Sequence, residues 1–380
     1  MGKTIRIGLI GAGFIGRSHA TAYVNQCQFG SDIKVALTVV CDPIESAAKE
    51  LAESHGFSRY TTDWHEVVTA DDVDLVCICT PNSMHCEIAM EAARNGKAIN
   101  CEKPLGMDGD QSEAAARVIK ECGVVAACGF NTMKIPVIAY AKQVIDSGRL
   151  GELVSFRGSY DTDGLATPDA PHAWRMLAKN SKLGSMGDLA AHVLSISQYL
   201  LGDITAVSGM TKIVYDKRKT ANGEIRPVEN DDVAQFLCRY ANGGIGYISS
   251  SRVAPGRKQA EVFEAQFTKG IITFSLERMN EINIYYADDE AVDQGFKNII
   301  VAPGHGEYGN FWTGPGIGIG YEDLKTIEEH DVLSNLANGT EPVVDFVFAA
   351  KIDRVMEAVL ESSKTGAWVN VKPVDVPSCV

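Results

Sequence analysis

Short apolar runs alternate with amphipathic segments through about the first 130 residues of the chain. Continuous apolar runs predict buried strands, and apolar positions that recur every three to four residues predict helices packed on them. The pattern therefore predicts an α/β fold with a doubly wound parallel sheet. The predicted strands are residues 4–10, 35–41, 74–79, 98–101 and 125–129, and the clearest helices between them are residues 44–52 and 86–93.

The pattern changes after Pro136. A helix predicted through residues 144–147 ends at Gly148, and longer strand-like segments follow, with a hairpin signal at Asn242-Gly243. Such a run predicts an α+β domain with a large open, mainly antiparallel sheet, whose apolar face favours an oligomer interface. The predicted elements are strands at residues 153–160, 204–215, 233–240, 244–252, 261–267 and 271–276, and helices at residues 321–338 and 345–363.

The first strand runs directly into Gly11-Ala12-Gly13-Phe14-Ile15-Gly16, a G-x-G-x-x-G turn that opens a predicted helix. Here Gly11 permits the tight turn, Gly13 permits close approach of a pyrophosphate, and Gly16 permits close helix packing. The free N–H groups at the helix N-terminus favour phosphate. We expect this loop, including Phe14 and Ile15, to bind a dinucleotide; a plain turn is the alternative.

The second predicted strand ends at Asp42-Pro43. A carboxylate at this place accepts hydrogen bonds from the ribose hydroxyls of NAD and repels the 2′-phosphate of NADP. Its interval from the glycines is longer than the usual ~20 residues, which we attribute to an enlarged loop over residues 25–32. Asp42 as a plain strand-end cap is the alternative. The order of strand, glycines and acid predicts NAD as the cofactor, with Asp42 and Pro43 in contact with it.

A length of 380 residues exceeds the size at which single hydrophobic cores usually stop growing. We therefore expect two domains. Residues 1–130 are predicted to form a dinucleotide-binding Rossmann domain, and residues 131–380 a domain for substrate binding and oligomerisation. The two late helices are expected to brace the domain junction.

Composition excludes several classes of partner. The formal net charge of −14 argues against nucleic acid and anionic membranes. No apolar run reaches the ~18 residues of a membrane span, and because the first strand begins early we expect no signal peptide. Eight of the ten cysteines lie between Cys27 and Cys128. A metal at Cys77-Ile78-Cys79 is conceivable, but we expect free buried thiols, no bound metal and a reducing, cytoplasmic location.

Thr80-Pro81-Asn82-Ser83-Met84-His85 follows the third predicted strand, at the sheet edge where open α/β folds bind ligands. Thr80, Asn82 and His85 are therefore candidates to line the ribose or nicotinamide of the cofactor. The alternative is that Asn82 caps the helix that follows.

Glu102-Lys103-Pro104 ends the next predicted strand and points toward the same crevice. The ammonium of Lys103 would lower the pKa of a substrate hydroxyl and stabilise the alkoxide as hydride leaves. An exposed Glu–Lys pair of little energetic consequence is the alternative.

A third candidate segment runs from Gly187-Asp188 to His192. In a helix Asp188 and His192 occupy positions i and i+4 on one face, which suits a general acid/base pair near neutral pH. Asp188 as an N-cap and His192 as a core histidine is the alternative.

In this order the motifs resemble those of the glucose-fructose oxidoreductase, inositol dehydrogenase and rhizopine-catabolism (Gfo/Idh/MocA) family over nearly the whole chain. The resemblance also includes Gly129-Phe130-Asn131. It implies an N-terminal Rossmann domain, a C-terminal open sheet that makes dimer or tetramer contacts, and a nicotinamide ring near the lysine of Glu-Lys-Pro. We therefore expect a homotetramer that binds NAD and a small-molecule sugar or cyclic polyol.

The resemblance further implies that Lys103, Asp188 and His192 form the catalytic set, with His192 as proton acceptor. The remaining candidate contacts are Glu102, Lys103 and Arg175 for the cofactor, and Lys103, Asn131, Trp174, Asp188, His192 and His305 for the substrate. His305 lies in a glycine-rich segment expected to form a mobile loop near the sugar. An exposed loop histidine without a role is the alternative.

Two positions depart from many relatives: Thr132-Met133 stand where an arginine is common, and Ser195 stands where an aspartate is common. Both bear on substrate contacts. The expected reaction is NAD-dependent oxidation of a secondary hydroxyl of a cyclic polyol or pyranose, such as scyllo-inositol or L-glucose, to a keto or lactone product. A glycoside 3-oxidase or hydride shuttle with tightly bound NAD and a non-catalytic NAD-bound regulatory module are the alternatives.

Overall fold

The computed structural model describes residues 3–311 and 314–376. Up to residue 129 the chain alternates strands and helices, as the apolar pattern predicts. In chain order these elements are β1 (Thr4–Ile10), α1 (Phe14–Val24), β2 (Lys34–Cys41), α2 (Glu45–His55), β3 (Arg59–Thr61), α3 (His65–Val68), β4 (Leu75–Ile78), α4 (Asn82–Arg94), β5 (Ala98–Glu102), α5 (Gly109–Cys122) and β6 (Ala126–Gly129).

Strands dominate the next part of the chain, and two long helices follow them. The elements are α6 (Pro136–Asp146), β7 (Leu153–Asp161), α7 (Ala191–Leu201), β8 (Ile204–Lys212), β9 (Lys217–Lys219), β10 (Ile225–Pro227), β11 (Val233–Tyr240), β12 (Ile245–Ser251), β13 (Ala260–Phe267), β14 (Gly270–Ser275), β15 (Glu281–Tyr286), β16 (Lys297–Ile300), α8 (Tyr321–Asn338), α9 (Phe346–Thr365) and β17 (Val369–Asn370).

The described residues divide into two compact units. The first comprises those of Met1–Lys134, Ile319–Ala350 and Val374–Val380, and the second comprises Ile135–Gly318 and Lys351–Pro373. This differs from the expected single boundary after residue 130. The reason is that α8 packs on α1, with polar contacts from Ser18 to Glu322 and from His19 to Glu329. A segment distant in sequence therefore completes the first unit.

The first unit contains a six-stranded parallel sheet in the order β3-β2-β1-β4-β5-β6. This is the Rossmann order, in which the strand sequence reverses between β1 and β4 and opens a ligand crevice there. Strands β4, β5 and β6 are fully buried, as a parallel sheet covered on both faces requires. The sequence does not predict β3, since three largely exposed residues carry no apolar pattern.

The second unit contains a nine-stranded sheet in the order β16-β15-β14-β13-β7-β12-β11-β8-β17. All neighbouring pairs are antiparallel except β12 with β7, so the expected mainly antiparallel sheet is confirmed. Alternate residues point inward, among them the buried Phe156, Phe236 and Ile248. Sequence analysis missed β15, although Glu281–Tyr286 alternates between buried and half-buried positions.

Among the described residues, no helix combines the length and the hydropathy that crossing a membrane requires.

Candidate functional site

The glycine loop occupies the C-terminal end of β1 and has the geometry of a phosphate cradle. Gly11 has a φ of +106°, and a Cβ there would lie 2.5 Å from the carbonyl oxygen of Cys79. A Cβ on Gly16 would lie 1.8 Å from the carbonyl oxygen of Gly11, whereas a Cβ on Gly13 would meet nothing within 4 Å. The loop is therefore closed behind Gly11 and Gly16 and open beside Gly13, where α1 begins without a side-chain cap. These features fit a bound pyrophosphate.

Two further loop residues differ in their surroundings. Phe14 is exposed in the first turn of α1, whereas Ile15 is half-buried and packs against the core of the first unit. Contact of either side chain with the cofactor stays a prediction.

Asp42 lies at the end of β2 and connects directly to the glycine loop. Its Oδ2 accepts the N–H of Ala12 at 2.8 Å, and its Oδ1 accepts the N–H of Ile44 at 2.9 Å. Pro43, between them, is exposed. Since a carboxylate offers about four acceptor positions, these two bonds leave acceptors for ribose hydroxyls. Asp42 thus caps its turn and still fits the cofactor role, so the two interpretations coexist.

The loop after β4 places Thr80 at the open edge of the sheet and the ring of His85 inside the protein. The hydroxyl of Thr80 is buried and has no hydrogen-bond partner among the described residues. Asn82 is the first residue of α4 and Pro81 is the N-cap, so the capping alternative for Asn82 is wrong. His85 is 1% exposed, and its two ring nitrogens lie 2.9 Å from the carbonyl oxygens of Pro104 and Thr80.

His85 connects two loops at this edge of the sheet. A ring between two backbone carbonyls holds the loops after β4 and β5 together. Contact of His85 with the cofactor stays a prediction.

Glu102 and Lys103 do not form the exposed pair that was the alternative. Glu102 is only 7% exposed, its Oε2 accepts the N–H of Lys103 at 3.2 Å, and its Oε1 binds the ammonium of Lys325. The carboxylate predicted to touch the cofactor is therefore enclosed in the first unit. Contact of Glu102 with the cofactor stays a prediction.

A buried cluster of charged groups lies behind Lys103; we call it the Lys325 cluster, and its members are His19, Glu102, Lys325, Glu328 and Glu329. The imidazole of His19 lies between Glu102, at 3.0 Å from Nε2, and Glu329, beside Nδ1. Lys325 also binds Glu328 at 3.1 Å. The cluster joins α1, β5 and α8. Sequence analysis missed it because the Glu328-Glu329 pair in a charged helix is typical of a solvated face.

The charges in the cluster depend on one another. Burial would raise the pKa of Glu102, but Lys325 and His19 outweigh burial and hold that pKa well below 4.5. Burial would lower the pKa of Lys325, yet Glu102 and Glu328 hold it well above 10.5. Burial also opposes the charge on His19, but interactions with Cys77 and Glu329 outweigh burial and the repulsion from Lys325 and raise its pKa well above 6.5. For Glu328 the effect of burial is larger than the opposing effect of Lys325, so its pKa is raised above 4.5.

Asn131 follows β6 and lies at the same edge of the sheet as Thr80 and Lys103, because all three come directly after neighbouring parallel strands. Its side-chain amide nitrogen is buried without a partner among the described residues. Thr132 and Met133, which replace the arginine common in relatives, are buried beside it. Buried polar atoms without partners usually bind a ligand or water. The orphaned atoms of Thr80 and Asn131 therefore fit a ligand with hydrogen-bonding groups at this edge.

The second unit carries the other predicted catalytic residues. Met186–Ala190 forms a π-helical turn with Ser185 as its N-cap, and α7 continues from it. Asp188 lies inside this turn, so its alternative role as an N-cap is wrong. Irregular turns of this kind are frequent at functional sites.

The structure records contacts of Asp188 and of His192 with different neighbours. The Nε of Arg175 lies 3.9 Å from Oδ1 of Asp188, and the guanidinium lies 4.6 Å from the ring centre of Trp174. His192 is 7% exposed, with its ring 5.9 Å from that of Tyr160. A direct role of Arg175 at the cofactor stays a prediction, since the structure shows it paired with Asp188.

His305 and Ser195 each form a hydrogen bond with the backbone of a nearby residue. The Nδ1 of His305 accepts the N–H of Ala302 at 3.0 Å, and its ring packs edge-on against Tyr140 at 5.0 Å. His305 is thus half-buried rather than exposed, and its contact with substrate stays a prediction. The hydroxyl of Ser195 donates to the carbonyl of His192 at 2.7 Å, inside α7.

The cysteines of the described residues form no disulfides, as expected, and most are buried; Cys27 and Cys122 are exposed, so the expected burial is wrong for these two. The sulfur atoms of Cys77 and Cys79 are 3.6 Å apart, and with His19 they place three potential metal ligands within 4.8 Å of one another. Burial raises the pKa of both thiols. Metal ions bind the thiolate form, which burial disfavours in the metal-free protein; the expectation of no bound metal at this group stays a prediction.

Comparison with known proteins identifies relatives of both units. Residues 5–130 match the oxidoreductase family, NAD-binding Rossmann fold, and residues 138–273 match the GFO/IDH/MocA C-terminal domain. Levoglucosan dehydrogenase of Pseudarthrobacter phenanthrenivorans is 33% identical over 98% of this chain and 99% of its own. The NAD(+)-dependent scyllo-inositol 2-dehydrogenase of Bacillus subtilis is 30% identical over 77% of this chain and 80% of its own. A structure of levoglucosan dehydrogenase with NADH and levoglucosan has a TM-score of 0.95 at 34% identity, over 97% of this chain and 100% of that one.

Proposed function

This chain belongs to the Gfo/Idh/MocA family of NAD-dependent oxidoreductases, and we propose that it oxidises a secondary hydroxyl of a pyranose, with an anhydro-sugar such as levoglucosan as the leading substrate. The observation that carries the proposal is the extent of similarity. Likeness to levoglucosan dehydrogenase spans 98% of the chain, whereas likeness to the scyllo-inositol enzyme spans 77%. Inositols and L-glucose, which the motifs alone favour, therefore become the second choice.

Each proposed role follows from a group's chemistry. When bound, NAD accepts the hydride from the carbinol carbon of the sugar. The ammonium of Lys103 donates a hydrogen bond to the substrate oxygen and stabilises its developing negative charge. The imidazole of His192 accepts the hydroxyl proton, because imidazole ordinarily titrates near neutral pH. Asp188 orients that imidazole, while Gly11 to Gly16 and Asp42 hold the dinucleotide.

We also propose that the chain forms a homotetramer through the outer face of the nine-stranded sheet. That face carries Met210, Leu237 and Ile245, whose exposed fractions are 67%, 51% and 60%. Leu237 lies directly opposite Tyr247 in the β11–β12 pair, so these side chains form a contiguous patch. Apolar patches on a sheet face favour association. The free cysteines of the described residues support action in a reducing compartment, which we propose to be the cytoplasm.

The proposal is tested by Lys103→Met and His192→Ala. Removal of a positioned acid or base is expected to lower kcat by about 10²–10⁴-fold, with levoglucosan, L-glucose and scyllo-inositol compared by NADH formation. The affinity for NAD is expected to change little. Lys97→Met is the matched control, since Lys97 lies at the opposite end of β5 and binds the carbonyls of Ala70 and Val73.

A His192→Ala variant that folds, binds NAD and keeps near-normal kcat contradicts the catalytic assignment. A drop in melting temperature with unchanged turnover indicates instead that His192 only fills the core.

A further inference from the structure

A buried polar triplet, Asn230-Asp231-Asp232, directly precedes β11 in the second unit. All three residues are at least 95% buried. Buried polar side chains persist where they are fully hydrogen-bonded. Each member of this triplet holds a different segment of the chain, and two of those segments carry site residues.

Asp231 holds the start of the turn that carries Asp188. Its carboxylate accepts the N–H of Gly184, the N–H of Met186 and the hydroxyl of Ser185, each at 2.8 Å. A Cβ on Gly184 would lie 1.9 Å from the carbonyl oxygen of Asp231, so the two backbones are in close contact. The N–H of Asp188 in turn donates to the carbonyl of Gly184 at 3.0 Å. A single carboxylate therefore fixes the backbone from which Asp188 projects.

Asn230 holds the segment that carries Arg175. Its amide nitrogen donates to the carbonyl of Arg175 at 2.6 Å and to that of Ser181 at 2.8 Å, while its oxygen accepts from Arg252 at 3.0 Å. Asn230 and Asp231 are adjacent in the chain. They therefore tie the backbones of Arg175 and Asp188 to one point.

The Arg175–Asp188 contact cannot set this geometry by itself. Its side chains are 52% and 43% exposed and 3.9 Å apart, and ion pairs this open contribute about 0–1 kcal/mol. The separation of the two side chains must come from the buried hydrogen bonds on either side of the pair.

We propose that Asn230 and Asp231 are positioning residues that fix Arg175 and Asp188 relative to each other and so hold Asp188 in its working orientation. This inference rests on the proposed role of Asp188 in orienting His192. Neither residue touches the reacting atoms; both act through the backbone of the residues they hold.

Asp232 offers a matched control. It is fully buried and accepts the Nε of Arg252 at 2.8 Å and the N–H groups of Val214 and Tyr215 at 2.7 and 3.1 Å. It anchors residues 214–215, and it is connected to the segment around Arg175 indirectly, through Arg252, which also binds Asn230. Replacement of Asp231 or Asp232 by asparagine puts an amide donor against N–H donors; Asp232→Asn also weakens the buried ion pair with Arg252, so it is the more disruptive change of the two.

The experiment compares Asp231→Asn with Asp232→Asn in the complete chain. Both variants are expected to melt at lower temperature than wild type. Only Asp231→Asn is expected to lose about 10–100-fold in kcat, the effect of a small misplacement near the chemistry, with the Kd for NAD unchanged within twofold. The acidic limb of its kcat–pH profile is expected to move to lower pH, because a displaced Asp188 carboxylate no longer favours the protonated imidazole.

Asn230→Asp is the second variant, in case Asp231→Asn does not fold. It keeps the acceptor for Arg252 and removes the donor to the carbonyls of Arg175 and Ser181, so the same loss of kcat is expected. Equal kcat losses in Asp231→Asn and Asp232→Asn, or an unmoved pH profile, overturn the inference. If His192→Ala retains turnover, the proposed function fails; if it loses turnover while Asp231→Asn does not, only this inference fails.

Discussion

Lys325→Met is the most informative perturbation of the first unit. The ammonium of Lys325 is 1% exposed and is the cation beside both Glu102 and Glu328. Methionine fills a similar volume without the charge. Removal of one partner from a buried ion pair typically costs about 3–5 kcal/mol, because the other charge remains buried and uncompensated. We expect Lys325→Met to destabilise the first unit by about 3 kcal/mol near neutral pH, the lower end of that range, because the imidazole of His19 still lies 3.0 Å from Glu102.

The pKa shifts define the pH window of this effect. The pKa of Glu102 lies well below 4.5, so its contribution to stability is fully present above pH 4.5 and is lost as pH falls through the folded pKa. The pKa of Lys325 is raised, so its contribution is present below pH 10.5 and is lost as pH rises through the folded pKa. The difference between wild type and Lys325→Met is therefore largest between about pH 4.5 and 10.5 and shrinks outside that range.

The assay is urea denaturation of the complete chain, with hydrogen exchange followed in peptides from α1 and α8, which the cluster joins. Lys49→Met is the matched control, because Lys49 forms an exposed pair with Glu53 at 3.9 Å and such pairs contribute about 0–1 kcal/mol. Equal stability of the two variants, or a loss in Lys325→Met that does not change between pH 7 and pH 3, refutes the reasoning.

Two further predictions concern cofactor choice and assembly. We expect wild type to prefer NAD over NADP. Asp42→Ser is expected to reduce the ratio of kcat/KM for NAD to kcat/KM for NADP about tenfold, which corresponds to the loss of roughly one hydrogen bond to a charged group. Equal use of both cofactors by wild type contradicts the role of Asp42. In sedimentation experiments at micromolar concentration we expect wild type to be a tetramer. Leu237→Glu is expected to be a smaller species, because it places a carboxylate on the apolar face of the sheet. A monomeric wild type contradicts the proposed interface.

Features built from neighbouring residues could be read from the sequence. The glycine loop, the strand before it and the end of β2 at Asp42 are local, and their order along the chain carries the structural information. The backbone requirements of Gly11 and Gly16 appear in the structure as predicted, because a tight turn and a close helix leave no room for Cβ. The longer strand-like segments and the turn signals after Gly148 predicted the second sheet for the same reason, since strands and turns are local patterns.

Pairings between distant segments could not be read in this way. Glu102 and Lys103 are adjacent and resemble a surface pair, yet the partner of Glu102 is Lys325, 223 positions along the chain. The charged face of α8 predicts exposure, and only its packing on α1 buries Glu328 and Glu329. The sequence position of His85 predicts a residue that lines the cofactor, and only the fold shows that the loop after β5 lies against its ring.

By itself the sequence determined most of the elements, the sheet types and the position of the phosphate loop, because strand and helix patterns and glycine stereochemistry act over a few residues. Only the tertiary structure decided which charges are buried and which side chains hold others in place. Desolvation and hydrogen-bond partners depend on what packs against a residue, and for Glu102, Asn230 and Asp231 those neighbours come from remote parts of the chain.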